Sequence, residues 1–249
     1  MAGIMYSVVI PVFNGDKTIL ELTKRLISLF ENMDKTFEIV FVDDFSRDKS
    51  WQTIREMAMK DKRIKSIKLV RNYGQHKATL CGMFYTKGDY VFTMDDDLQH
   101  APEDIPILIN KMKDTGAHAV IAKLEEKKCQ WYRRKASDLV RILSVVLINK
   151  PAGIYLSSFR LINKKAVDKV LSLNSIYPYI PALIFRVTDQ VQNAEICHHK
   201  RKQGNSNYTI IKMVKLSIQL LLNNPVILRF IGKTGSPYVV EQGENISIS

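Results

Sequence analysis

The N-terminal half of the chain alternates between short apolar runs and stretches in which apolar residues recur every three or four positions. Ser7–Phe13 is a near-continuous apolar run, which is typical of a strand buried on both faces. Ile19, Leu22 and Leu26 then follow at helical spacing. This alternation predicts an α/β fold with a mostly parallel sheet that helices cover on both faces. The further predicted strands are Glu38–Val42, Ile64–Val70, Asp89–Met94 and His118–Ala122.

Capping and proline signals place helices between these strands. Ser46 or Asp48 can cap the helix after the second strand, Gln75–Thr86 is expected to form the next helix, and Pro102 opens another. After Ala122 the alternation gives way to apolar and basic stretches.

Two acidic clusters stand at the ends of predicted strands. Asp43-Asp44 follows the second strand and Asp95–Asp97 follows the fourth. Because ligands of open parallel sheets bind at the carboxyl ends of strands, these clusters mark the candidate site.

The second cluster belongs to a D-x-D-x-Q pattern made by Asp95, Asp97 and Gln99. Three like charges at one strand end repel one another and need a counter-charge. A divalent cation bridging a diphosphate would supply it, since Mg²⁺ and Mn²⁺ prefer hard oxygen ligands and stabilise a departing phosphate. The alternative is a solvated acidic turn that caps the helix after Pro102.

Each of two other polar segments can be interpreted in two ways. Asp43-Asp44 either caps the following helix or accepts hydrogen bonds from a nucleotide base. Arg71–Lys77, after the third strand, is either an ordinary polar loop or a set of donors for phosphates at a helix N-terminus.

The charge balance favours an anionic partner. Lys and Arg total 37 against 25 Asp and Glu, which gives a net charge of +12. Nucleic acid, a membrane surface and a phosphorylated substrate all fit this excess. The sequence has no recognisable secretion signal and no apolar stretch of about 18 residues, and its three cysteines lie far apart, so a reducing cytoplasm is expected.

Five segments carry a family pattern, of which Met94–Glu103 (MDDDLQHAPE) is the most specific. The others are Val9–Asn14, Val42–Asp48, Ser157–Arg160 and Arg201–Tyr208. Together they resemble the family 2 glycosyltransferases with a GT-A fold, especially the dolichol-phosphate mannose synthase-like branch that makes polyprenyl-phosphate sugars. The resemblance covers residues 6–222. It departs at Gly15, where the family usually has Glu, and at Ser158, where it has Gly or Asp.

The resemblance implies roles for individual residues. Those implied to bind the nucleotide sugar are Pro11, Phe13, Asp43, Asp44, Gln75, Asp95 and Asp96. Those implied to bind the metal are Asp95, Asp97 and Gln99. Those implied to act in catalysis are Asp97, Arg134, Arg160 and Arg201. Those implied to face the phosphates or the acceptor are Arg134, Arg160, Arg201, Ser206 and Tyr208.

The implied reaction is inverting transfer of a sugar from a UDP- or GDP-linked donor to a polyprenyl phosphate, with Mg²⁺ or Mn²⁺ as cofactor. A phosphate whose second pKa is about 6 is already a nucleophile at neutral pH. A saccharide hydroxyl, the alternative acceptor, would need a general base, for which Asp189 is the candidate. A nucleic-acid-binding protein is a third possibility, but it leaves Asp95–Asp97 unexplained.

Residues 1–208 are expected to form the catalytic domain, 209–231 an amphipathic helical segment beside the membrane, and 232–249 a flexible tail. Lys212 and Lys215 fall on one narrow polar stripe of the expected helix, and apolar residues cover the rest. We therefore expect the protein to bind the cytoplasmic face of a membrane without crossing it.

Overall fold

The computed structural model describes residues 3–124, 151, 153–196 and 238–246. Within these ranges eight strands form one sheet in the order β7-β5-β6-β4-β1-β2-β3-β8. The strands are β1 (Tyr6–Val12), β2 (Phe37–Asp43), β3 (Ile64–Leu69), β4 (Tyr90–Thr93), β5 (Ala119–Leu124), β6 (Arg160–Asn163), β7 (Val191–Ile196) and β8 (Val240–Glu244). The helices are α1 (Asp16–Asn32), α2 (Ser50–Lys60), α3 (Gln75–Phe84), α4 (Ile105–Thr115, after a 3₁₀ turn at Pro102–Asp104), α5 (Lys164–Ser172) and α6 (Ile180–Val187).

The first four strands are parallel. β1 pairs with β2 on one side and β4 on the other, and β2 pairs with β3. The ends of β1 to β5 lie within two residues of those predicted from the sequence. The predicted α/β fold with a mostly parallel sheet is therefore confirmed.

Successive residues of the central strands enter two separate cores. Val8 and Ile10 of β1 lie in the core that α1, α2 and α4 cover, whereas Val9 lies in the core that α3, α5 and α6 cover. Because both faces of β1 are buried, apolar residues fill consecutive positions instead of alternating with polar ones. The apolar run that marks this strand in the sequence follows from that double burial.

Two strands depart from the predicted pattern. β6 runs antiparallel between β4 and β5, and β8 runs antiparallel along β3. The prediction of a flexible tail over residues 232–249 is therefore wrong for Val240–Glu244, which covers backbone groups of β3 that an edge strand would leave unpaired. Asn245 secures this strand, because its Nδ2 donates to the carbonyls of Ala58 and Ile64 at 2.6 and 2.8 Å.

The amphipathic helix predicted at residues 209–222 lies outside the described residues. Among the helices that the structure does describe, none has the length and apolar character that crossing a bilayer requires.

A buried ion pair joins β2 and β3 at the amino-terminal end of the sheet. Lys65 Nζ lies 2.7 Å from Glu38 Oε2, as an ion pair rather than an aligned hydrogen bond. Ser7 Oγ and the N–H of Lys87 donate to Glu38 Oε1 at 2.7 and 2.6 Å. Lys65 also donates to the carbonyl of Tyr85 at 2.7 Å. The pair thus fixes the turn that leads into β4.

Removing one partner of this pair is expected to destabilise the fold strongly. Lys65→Met leaves the Glu38 carboxylate buried without its cation, a change that costs about 3–5 kcal/mol. The double variant Lys65→Met/Glu38→Gln removes both charges and should recover part of that loss. Urea unfolding of the two variants and the wild-type protein tests this, and wild-type stability of Lys65→Met would contradict it.

Candidate functional site

A cleft of about 720 Å³ opens at the carboxyl ends of β1, β2 and β4. The chain leaves β1 toward β2 on one side, while β4 lies on the other, and open α/β sheets bind their ligands at such a switch point. Acidic side chains dominate its lining. They are Asp16, Asp44, Asp48, Asp95, Asp96 and Asp97.

The loops after β1 and β2 are locked together on one side of the cleft. The N–H of Asn14 donates to Ser46 Oγ at 3.0 Å, and Asn14 Oδ1 accepts from the N–H of Arg47 at 2.9 Å. The N–H of Gly15 donates to Ser50 Oγ at 2.9 Å. These bonds make the two loops one unit, so a ligand held by one loop is positioned relative to the other.

Asp95 is held by two neutral donors. Gln75 Nε2 donates to Asp95 Oδ1, and Ser158 Oγ donates to Oδ2 at 2.6 Å. Burial raises the pKa of Asp95, and the hydrogen bond from Ser158 opposes this shift. The two donors fix the direction of the carboxylate without neutralising its charge.

Asp97 is held by the residue two positions further on. The N–H of Gln99 donates to Asp97 Oδ1 at 3.1 Å, and Gln99 Nε2 donates to Oδ2 at 2.6 Å. Leu98 between them has a φ of 60°, in the left-handed region, which lets the chain turn back on itself. The D-x-Q part of the motif is therefore a compact local turn.

Asp96 carries the charge of the turn that is least compensated. Its Oδ2 atom is excluded from solvent and has no hydrogen-bond partner among the residues described. Burial, together with the nearby charges of Asp95 and Asp97, raises the pKa of Asp96 to about 7. This Oδ2 atom therefore lacks the donor that a buried carboxylate oxygen normally has.

The turn offers the donor atoms that a divalent cation prefers. No group of three His, Cys, Asp or Glu side chains is already gathered as a metal site in the part of the chain that the structure describes. Even so, Asp95 and Asp97 line the cleft with hard oxygen atoms, and the like charges of the turn favour an added cation. Asp95 and Asp97 are the residues that would hold the metal, whereas the third predicted ligand, Gln99, holds Asp97.

The structure separates the two acidic residues that follow β2. Asp44 lines the cleft, and its two oxygens accept from the N–H groups of Tyr73 and Gly74 at 2.7 and 2.8 Å. Asp43 is fully buried and accepts from the N–H of Ser46 at 3.2 Å. Burial raises the pKa of both carboxyls. Asp43 is not among the residues that line the cleft, so the predicted contact with a nucleotide is left to Asp44.

Of the capping expectations for this region, the one for Asp48 agrees with the structure and the one for Asp43-Asp44 does not. Asp44 binds N–H groups at the start of α3, not at the start of the helix that follows it. As predicted for Asp48, its Oδ1 accepts from the N–H of Ser50 at 3.0 Å, at the first turn of α2. Since Asp44 already occupies the N–H groups of Tyr73 and Gly74, the structure favours a polar loop over a phosphate cradle for Arg71–Lys77.

Pro11 and Phe13 form the apolar part of the cleft. Phe13 is 50% exposed although it directly follows a fully buried strand. An exposed aromatic ring beside a polar cleft offers a flat surface on which a planar ligand group can stack.

Arg160 lies behind the acidic turn and not at the open surface. It stands opposite Thr93 in the antiparallel pair of β4 and β6, is only 4% exposed, and donates from Nη1 to Thr93 Oγ1 at 3.4 Å. Burial lowers its pKa to about 10, while Tyr179 and Asp95 act in the opposite direction. The implied contact of Arg160 with phosphates is therefore not supported by its position, which places its charge beneath Asp95.

Other implied site residues cannot be placed or are placed elsewhere. Arg134, Arg201, Ser206 and Tyr208 lie outside the described residues. Asp189, the candidate general base, is an exposed residue just before β7. Because β7 is parallel to β5, and β5 and β4 run in the same direction on either side of β6, Asp189 lies at the opposite edge of the sheet from the cleft. It is therefore wrong as a base for this site.

Sequence reasoning missed two features of the site. The hydrogen bond from Ser158 to Asp95 joins residues that are far apart in the chain, and only the pairing of β4 with β6 brings them together. Asp16 and Asp48 also line the cleft but gave no signal beyond being acidic residues in loops. The departures at Ser158 and Gly15 from the family pattern were the available clue, since both positions contact the acidic turn.

Named relatives are found over most of the chain. It is 35% identical over 216 residues to undecaprenyl-phosphate 4-deoxy-4-formamido-L-arabinose transferase of Edwardsiella ictaluri, a match that covers 86% of this chain. The protein of the same name from Proteus mirabilis is 31% identical over the same share of the chain. The chain spans 66% of the length of each of these relatives.

Solved structures share the fold. Glucosyl-3-phosphoglycerate synthase from Mycobacterium tuberculosis, solved with Mn²⁺, UDP-glucose and phosphoglyceric acid, has a TM-score of 0.61 at 18% identity, covering 94% of this chain and 82% of its own. Mannosyl-3-phosphoglycerate synthase from Rubrobacter xylanophilus has a TM-score of 0.61 at 16% identity, covering 92% and 75%. The sequence model described as "Glycosyl transferase family 2" matches residues 7–171. The chain therefore belongs to glycosyl transferase family 2.

Proposed function

We propose that this protein is an inverting glycosyltransferase that moves a sugar from a nucleotide-diphosphate sugar to a polyprenyl phosphate. The observation that carries the proposal is the acidic turn at the mouth of the switch-point cleft, where Asp95 and Asp97 can meet a metal-bound diphosphate. The names of the two relatives, both transferases that act with undecaprenyl phosphate, support the acceptor. Nucleic-acid binding would leave this turn without a role.

The cleft divides into a part for the nucleotide and a part for the diphosphate. Phe13 and Pro11 offer an apolar surface to the base, and Asp44 lies next to them at the end of β2. Asp95 and Asp97 would hold Mg²⁺ or Mn²⁺, which supplies positive charge to the departing diphosphate. Gln75 and Ser158 keep the Asp95 carboxylate in place, so little reorganisation is needed when the donor binds.

The acceptor supplies its own nucleophile. An ionised phosphate oxygen attacks the anomeric carbon from the side opposite the leaving group, a new C–O bond forms, and the nucleoside diphosphate departs with the electrons of the broken bond. No proton has to be removed from such an acceptor, because a phosphate monoester is largely ionised near neutral pH. The position of Asp189 at the far edge of the sheet agrees with a reaction that needs no base there.

The acceptor's lipid tail favours a site at a membrane surface, on its cytoplasmic face. The sequence of residues 209–222, which lie outside the described residues, predicts a helix with one narrow polar stripe and an otherwise apolar surface, and Lys200, Arg201 and Lys202 precede it. Each basic residue near an anionic leaflet contributes about 1 kcal/mol of binding free energy. An apolar helix face in the headgroup region would add to that.

Asp97→Ala should abolish the metal-dependent part of nucleotide binding. Loss of a carboxylate ligand weakens the metal contact to the diphosphate, and we expect the affinity for UDP or GDP with Mn²⁺ to fall about a hundredfold or more. Isothermal titration calorimetry measures this directly.

The matched control is Asp114→Ala, which removes an exposed carboxylate far along α4. It should leave both affinity and melting temperature unchanged. Unchanged affinity in Asp97→Ala would remove Asp97 from the metal site.

Asp44→Asn should weaken nucleoside binding whether or not metal is present. An amide oxygen can replace only one of the two carboxylate oxygens that accept from Tyr73 and Gly74, so stability should also fall by about 1–3 kcal/mol. Asp43→Asn is the control, because Asp43 is buried beside it but does not line the cleft. If both variants lose stability and neither loses nucleoside affinity, Asp44 is only a structural residue.

The identity of the acceptor is tested by measuring the transfer of labelled sugar in the presence of anionic liposomes that contain a polyprenyl phosphate. We expect a lipid-linked product, and we expect the protein to float with the liposomes at low salt and less at high salt. A control reaction replaces the lipid with soluble saccharides. A protein that glycosylates only the saccharides and never floats would support the saccharide-acceptor alternative instead.

A further inference from the structure

Two cations and two tyrosines form a cluster beside the cleft. Lys77 Nζ lies 5.7 Å from the centre of the Tyr73 ring and 5.6 Å from that of the Tyr177 ring. The guanidinium carbon of Arg71 lies 4.9 Å from the centre of the same Tyr73 ring. Three of these residues belong to the loop after β3 and the first turn of α3, whereas Tyr177 comes from the segment before α6. We call these four residues the basic–aromatic cluster.

The backbone of this loop is fixed to the edge of the cleft. The N–H groups of Tyr73 and Gly74 donate to Asp44, which lines the cleft, and Asn72 Nδ2 donates to the carbonyl of Asp44 at 3.2 Å. Gln75, the next residue, also lines the cleft. The four residues of the cluster are not among those that line it, so the cluster borders the cleft from outside.

The two cations of the cluster have no carboxylate partner among the described residues. Arg71 and Lys77 take part in none of the ion pairs there, whereas Lys68 on the preceding strand pairs with Glu241. Burial, together with the nearby charge of Arg71, lowers the pKa of Lys77. Because neighbouring like charges repel each other, an anion bound between them is favoured.

The side chains of the cluster have the chemistry that binds a phosphate group. A guanidinium donates paired hydrogen bonds to phosphate oxygens, and an ammonium group adds a compact charge. The tyrosine rings hold both cations in place, and their apolar faces suit the chain of a lipid. The N–H groups of Tyr73 and Gly74 are already bound to Asp44, so the side chains and not the backbone supply the donors.

We propose that Arg71 and Lys77 bind the phosphate of a lipid headgroup beside the cleft, which is that of the acceptor itself or of a neighbouring anionic lipid. The cluster then holds the edge of the cleft at the membrane surface. This contact is separate from residues 209–222, for which the sequence predicts membrane binding. The choice of a lipid phosphate rests on the proposed function, but the cluster needs neither the metal nor the nucleotide.

The test compares vesicle binding by the wild-type protein, Arg71→Gln/Lys77→Gln and Lys165→Gln/Lys169→Gln. The last variant is the matched control, because it removes two exposed cations from α5, which begins at the opposite edge of the sheet from the cleft. Cosedimentation measures the affinity for vesicles of phosphatidylcholine alone, with phosphatidylglycerol, or with a polyprenyl phosphate. Calorimetry measures the affinity for UDP and GDP with Mn²⁺, and thermal unfolding reports on the fold.

Arg71→Gln/Lys77→Gln should bind anionic vesicles about tenfold more weakly than the wild-type protein. The control should bind within about threefold of wild type, because its cations lie away from the membrane surface. The nucleotide affinity of both variants should equal that of the wild-type protein, since the cluster does not line the cleft. A loss with both anionic lipids assigns the site to headgroups in general, and a loss with polyprenyl phosphate alone assigns it to the acceptor.

Wild-type vesicle binding by Arg71→Gln/Lys77→Gln would overturn the inference, as would equal losses in the two double variants, which would show an effect of net charge alone. A loss of nucleotide affinity with unchanged vesicle binding would assign the cluster to the donor and overturn it too. If the double variant is unstable, Arg71→Gln at its exposed position allows the same comparison. A wild-type protein that binds vesicles through the cluster but binds neither nucleotide with Mn²⁺ would overturn the proposed function and leave the phosphate site standing.

Discussion

Repulsion among carboxylates gathered at one edge of a parallel sheet is the constraint on which the site depends. β1, β2 and β4 run in the same direction, so the loops that follow them meet at one edge. Asp44, Asp48 and Asp95–Asp97 enter the same cleft for that reason. The two cores on either side of the sheet hold the strands in register, and this rigidity prevents the like charges from moving apart.

The partners of these carboxylates leave their charge in place. Gln75, Ser158 and Gln99 are neutral donors, and Asp44 is held by backbone N–H groups. Such bonds fix direction, whereas paired cations would cancel the field that attracts a metal. The buried Arg160 lies behind Asp95 and adds positive charge from beneath, without occupying the cleft. The site is therefore oriented before any ligand binds, which is how protein dipoles contribute to catalysis.

The parallel strands that are buried on both faces could be predicted from the sequence. Such burial requires apolar residues at consecutive positions, as in Ser7–Phe13. The direction of β6 could not, since a four-residue strand carries no sign of which neighbour it joins. The wrong assignment of Asp189 as a general base has the same cause, because its distance from the cleft depends on the pairing of β7 with β5. β8 was not predicted, because its sequence is polar. It pairs along the edge of the sheet with β3 and is not buried, so it carries no apolar pattern.

The site shows a similar division. Asp95, Asp97 and Asp44 could be predicted because they directly follow strands, where position alone selects them. Ser158 could not be placed, because its contact with Asp95 crosses from β6 to β4. The contact of Gly15 with Asp96 depends on two loops meeting in space, and no local pattern records it.

The most direct test of the charge argument is the linkage between metal and nucleotide in the wild-type protein. Calorimetric titration with UDP and GDP is performed in Mn²⁺ and in excess chelator, and Mn²⁺ is titrated with and without the nucleotide. The account predicts that one nucleoside diphosphate binds at least about tenfold tighter with Mn²⁺, and that the nucleotide tightens Mn²⁺ binding by the same factor. Equal nucleotide affinity in Mn²⁺ and in chelator would contradict it.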